Sequence, residues 1–94
     1  MRISIDADWR EGNSGGPYGT AFVLDIDTDT LVNLLDEAAL RYLITFVGPK
    51  IVQPKGQEPM YCYTIEGEYQ DQVVAAMWAH RVQGFLEGFV EAMV

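Results

Sequence analysis

The run Asp25-Ile26-Asp27-Thr28-Asp29, followed by Asn33 and Asp36, places side-chain oxygens at the spacing of a calcium-binding loop. Thr30 stands where such a loop needs a glycine for its sharp turn, and Leu34 and Leu35 have the spacing of core residues. A strand end running into a helix cap accounts for the same residues with fewer demands, and no metal is expected. His80 and Cys62 are the single histidine and the single cysteine, and neither has a second nitrogen or sulfur ligand at zinc spacing. No pair among the carboxylates is set apart for general acid–base work, and no cofactor motif is present. The residue chemistry therefore points away from an enzyme and toward a binding protein.

Gly12-Asn13-Ser14-Gly15-Gly16-Pro17 resembles the nucleophile loop of trypsin-like serine proteases, in which the serine attacks and flanking N–H groups hold the oxyanion. The resemblance covers these residues alone. That family orders its triad His, Asp, Ser along the chain, whereas His80 here follows Ser14, and its double barrel needs roughly twice this length. The run reads as a glycine-rich turn between strands.

Fourteen Asp and Glu oppose six Lys and Arg, for a net charge of −8. Phosphate backbones and anionic membranes are bound by an excess of Lys and Arg, so direct nucleic-acid and membrane binding are excluded as expectations. No apolar run reaches the ~18 residues of a membrane span, and MRISIDADWR does not read as a secretory signal. One cysteine cannot form an internal disulfide, which favours a reducing, cytoplasmic setting. Ninety-four residues, 49% of them hydrophobic, suit one folded domain spanning 1–94.

Four strands and two helices must position whatever surface is used. Ile3, Ile5 and Ala7 alternate with polar residues and predict a strand over 2–8; Phe22, Leu24 and Ile26 predict another over 20–27. Thr28 or Asp29 starts a helix whose Leu31, Leu34, Leu35 and Ala38 share one face. Residues 40–47 read as a third strand, with a helix running to Phe46 as the competing assignment. Residues 48–59 read as a loop, 60–66 as a fourth strand, and 69 onward as a long helix. A shift of 39 residues superposes the two halves as strand–loop–strand–helix. The expected fold is α+β: a two-layer ββαββα domain with a four-stranded, mainly antiparallel sheet and both helices on one face.

Two surfaces look suited to contact. The sheet face away from the helices is expected to show Asp6, Asp8, Asp25, Asp27 and Glu66 with no base, and Trp9 at its rim. Asp29, Asp36, Glu37, Glu68 and Asp71 are placed near its edge or on the helix starts. Crowded like charges repel, so this face suits a basic partner. The expected binding residues are Asp6, Asp8, Trp9, Asp25, Asp27, Asp29, Glu66 and Glu68. On the last helix, Val74, Met77, Trp78, the stem of Arg81, Val82, Phe85, Leu86, Phe89, Val90 and Met93 form an apolar stripe. Beside it His80, Gly84, Gly88 and Ala92 recur every fourth residue, a small-residue row through which a homodimer is expected.

The functional expectation is a small acidic inhibitor, of the anti-CRISPR or nucleic-acid-mimic kind, that blocks a basic nucleic-acid-handling protein. An immunity protein or antitoxin against a nuclease toxin fits the same composition. The alternative is a nucleotide binder at a dimer interface, with Trp9, Tyr18, Tyr61 and Tyr63 around the pocket and Arg2, Arg10, Arg41 and Arg81 converging on a phosphate. A bound cofactor is not expected in any of these.

Overall fold

Strand β1 spans Arg2–Glu11, β2 Ser14–Val23, helix α1 Thr28–Tyr42, β3 Phe46–Val52, β4 Met60–Tyr69 and α2 Gln72–Ala92. The structure, a computed structural model, describes residues 1–11 and 14–93, without the side chains of Arg10, Glu11, Ser14 and Glu68. The sheet runs β2-β1-β4-β3. Antiparallel hairpins β1–β2 and β3–β4 are joined through a parallel central pair, β1 and β4. The ββαββα, mainly antiparallel α+β fold expected from the pattern is therefore present.

The alternation in β1 sends Ile3, Ile5 and Ala7 to full burial. Across the sheet Ile3 lies between Phe22 and Tyr61, and Ile5 between Thr20 and Tyr63. Leu31, Leu34, Leu35 and Ala38 of α1 close over this layer, as do Ala75, Ala79, Val82, Phe85 and Leu86 of α2. Both helices thus share one face, and the opposite face of the sheet is left uncovered. Each helix starts with the same device: Asp27 accepts from the Thr30 N–H at 2.7 Å, and Asp71 from the Val74 N–H at 2.9 Å. The bond from Thr30 holds the Asp27 carboxyl below the ordinary aspartate range.

Several boundaries differ from the sequence reading: β1 runs on to Glu11, β4 to Tyr69, and α2 begins at Gln72, and the larger differences lie elsewhere. β2 runs over 14–23, not 20–27, so most of the glycine-rich segment is strand; of GNSGGP, Gly12 and Asn13 lie outside the described residues. The ladder ends where Arg2 meets Val23, after which the Leu24 N–H bonds the Met1 carbonyl and the chain turns toward α1. Residues 40–47 are not one strand. α1 continues to Tyr42 and closes at Leu43, whose left-handed φ of 54° lets its N–H reach the Ala39 carbonyl. β3 then occupies 46–52, inside the proline-containing segment read as loop. It is an edge strand paired with β4 alone, and a register break between Val47 and Lys50 accommodates Gly48 and Pro49. Finally, the halves repeat at the 44-residue separation of the two caps, Asp27 and Asp71, and not at 39.

Gly19 shows why a glycine can sit inside β2. A Cβ there would stand 2.0 Å from Asp6 Oδ1, because the Asp6 carboxylate lies flat across the sheet while accepting from Ser4 Oγ at 2.7 Å. Gly19→Ala is expected to swing the carboxylate away and lower stability by about 1.5–3 kcal/mol, the value of a hydrogen bond to a charged group. In Asp6→Ala the same substitution should cost little, so a double-mutant cycle by urea unfolding measures the coupling.

Candidate functional site

The register places the expected acidic residues in two groups, not on one face. Asp6 and Asp8 stand on the uncovered side of β1, and Glu66 follows the Ala7–Ile65 pair on the adjacent β4. The β1–β4 ladder breaks after this pair, so Asp8 has no register partner and Glu66 instead bonds the Thr45 carbonyl through its N–H; both carboxylates are exposed at the same end of the sheet. Trp9 is half-buried at the same end, paired with Gly16 on one side and Tyr69 on the other. Burial first, and the Asp8 charge second, push the Tyr69 hydroxyl above the ordinary tyrosine range.

Asp25, Asp27 and Asp29 are a correction. Because β2 ends at Val23, opposite Arg2, these residues leave the sheet at its other end, six strand residues or about 20 Å from Asp8. Asp27 is occupied as the α1 cap, and Asp29 lies in the first turn of α1. The side chain of Glu68 lies outside the described residues. The uncovered face also carries a base: Lys50 pairs opposite Cys62. Burial and the nearby Asp6 raise the Cys62 thiol above its ordinary range against the opposing pull of Lys50, which holds it protonated at neutral pH. Among the described residues no three His, Cys, Asp or Glu side chains gather where they could hold a metal ion.

The helix row also divides. His80 Nε2 lies 3.1 Å from the Tyr18 hydroxyl on β2, and the next polar residue on that side, Gln83, accepts from Thr20 Oγ1 at 2.6 Å. His80 is thus engaged within its own chain. Gly84 and Gly88 are exposed, with open space where a Cβ would be. The apolar stripe is rotated from the expected one. Ala75 and Ala79 lie on the contact line, where small side chains let the helix approach the sheet, while Met77 and Phe89 remain 44% and 42% exposed and Met93 is exposed.

That rotation brings together residues that the sequence reading placed on the apolar stripe. Trp78, Phe85 and Phe89 form an aromatic row joined by Tyr42 from the end of α1; Tyr42 meets Trp78 and Phe85 edge-on, at 6.2 and 5.9 Å between ring centroids. The Arg81 guanidinium lies 4.9 Å from the Trp78 ring centroid, and that of Arg41 lies 5.4 Å from Phe85. A groove of about 650 Å³ runs along this side of α2 past Gly84 and Gly88. The signal was the 78, 81, 85, 89 spacing, which holds an arginine inside an otherwise apolar helical row.

Within one chain the four residues expected to frame a nucleotide pocket lie apart: Tyr63 is buried in the core, Tyr61 borders the hollow beside Met1, Tyr18 faces His80, and Trp9 lies at the strand ends. Of the four arginines, Arg41 and Arg81 share the groove. Arg2 instead donates to Gln57 Oε1 at 3.2 Å and to the Glu58 carbonyl at 3.5 Å. The side chain of Arg10 lies outside the described residues. No helix among the described residues is long and apolar enough to cross a membrane. Compared with protein-family models, curated proteins and solved structures, the chain matches none.

Proposed function

We propose that this protein is a small cytosolic inhibitor that binds a basic, nucleic-acid-handling protein and does no chemistry of its own. Asp6, Asp8 and Glu66 take the place of phosphates opposite Arg and Lys of the partner, and Trp9 supplies the apolar anchor beside them. The observation that carries this reading is charge left unneutralised. Among the described residues the hydrogen-bonded carboxylates are Asp6, Asp27 and Asp71, and they engage a hydroxyl and two backbone N–H groups, not bases. The remaining field of a chain at −8 is directed outward, where it speeds encounter with a positive surface and is screened by salt. Asp25 and Asp29 extend that field at the far end of the sheet without sharing the Asp8 surface.

The test is capture of partners from the cell of origin, or from that cell's usual target, by the tagged protein at low and high salt. One basic nucleic-acid-handling protein should be retained at low salt. Asp8→Lys/Glu66→Lys should lower its association rate about 10–100-fold, while Asp25→Lys/Asp29→Lys has a smaller effect. A nuclease toxin as the captured protein would specify the immunity form of the same reading. Retention that ignores both salt and the Asp8/Glu66 reversal would overturn it.

A further inference from the structure

From the groove beside α2 we infer a second binding site, one for an aromatic organic anion, a carboxylate or a phosphate carried on a flat apolar body. Three observations carry it. In a chain with more than twice as many acidic as basic residues, the groove is lined by Arg41 and Arg81 and, among the described residues, by no carboxylate. Glu87 and Glu91 belong to the same helix, yet neither contributes to its wall. Second, each guanidinium lies over an aromatic ring, Arg41 over Phe85 and Arg81 over Trp78, and both arginine residues are exposed. A guanidinium held in this way keeps its in-plane N–H fork for bidentate donation to a carboxylate or phosphate.

Third, Gly84 and Gly88 leave the helix backbone bare along the groove, where a Cβ would meet nothing. An interior helix glycine is less favourable than alanine, and no contact among the described residues needs these two small. A flat ring system laid on the bare backbone, with Phe89 at its edge, fills the space that they leave. The groove volume is within the range of sites that take small organic ligands. Two further hollows are smaller and of a different character. That between α1 and β3 carries Asp36 and no base, and that beside Met1 sets Asp27 and Glu58 against Arg2.

The site is tested with 2-naphthoate and 2-naphthyl phosphate as probes and 2-naphthamide as the uncharged control, titrated into ¹⁵N-labelled protein. Both anions should shift the Gly84 and Gly88 amides and the Trp78 indole N–H. The stronger of the two identifies the anionic group, and the amide should bind at least tenfold more weakly. Arg41→Gln/Arg81→Gln should remove that preference. Gly84→Leu should abolish binding while raising the melting temperature, since it adds a better helix former in open space; loss of binding through misfolding would move the melting temperature the other way. Equal binding of 2-naphthamide overturns the inference. So does the absence of shifts at Gly84, Gly88 and Trp78 at millimolar probe, or a response there to an acidic peptide alone.

Discussion

Replacing Gly48 with alanine is expected to lower the unfolding free energy by about 3 kcal/mol, a large share of what a domain of this size has. The backbone at Gly48 has φ of +133°, a region open to glycine and strained for any residue with a Cβ. Space is closed as well: the added carbon would stand 2.7 Å from the Cys62 carbonyl oxygen and 3.3 Å from the Lys50 amide nitrogen. Both neighbours are backbone, and they cannot move without disturbing the β3–β4 ladder on either side of the register break. The contrast is Gly84→Ala, where the site is open and helical and the gain should be about 1 kcal/mol. Urea unfolding of both variants gives the signs directly. A neutral Gly48→Ala would mean that β3 is not seated as described.

The second large effect concerns α2. Leu86→Ala should cost about 3–4 kcal/mol, because Leu86 is fully buried against the sheet and its removal leaves a cavity among fixed neighbours. Phe89→Ala, one turn further along the same apolar stripe, should cost under about 1 kcal/mol, since much of its ring stays in solvent and its contact is a tilted one with Phe85 at 5.3 Å. Hydropathy ranks the two alike or favours the phenylalanine, so their order tests the rotation of the helix. Equal losses would place the contact line where the bulky residues are.

This comparison also indicates what the residues disclosed. α1 was legible because Leu31, Leu34, Leu35 and Ala38 make one helical face, although its cap is Asp27 and not the expected Thr28 or Asp29. β1 and the core face of β4 were legible because alternation with period two has a single reading. α2 was legible as a helix but not in rotation: its apolar residues cover more than half its circumference, and what chose the buried line was the small size of Ala75 and Ala79. β3 was hidden because an edge strand has no buried face to impose alternation, and because Gly48 and Pro49 are turn residues that a bulge can absorb. The acidic face failed through register: the end of β2 was set by its pairing with β1, a long-range fact, and moving that end took Asp25 and Asp27 off the sheet. The groove was only half legible, in the 78, 81, 85, 89 spacing of α2, since its other wall comes from the last turn of α1.

The parallel pairing of β1 with β4 has a consequence for how the chain reaches this state. Met60–Tyr69 must arrive before the strand formed by the first residues is hydrogen-bonded on both sides. A nascent chain that has emerged only as far as α1 therefore presents β1 as an open edge, with Ile3 and Ile5 lacking Tyr61 and Tyr63 beside them. Loop closure over nearly sixty residues must precede that contact, so the hairpin β1–β2 and helix α1 form early and wait. Until β4 docks, the unpaired side of β1 is an open edge of the kind at which two unfinished copies can zip together.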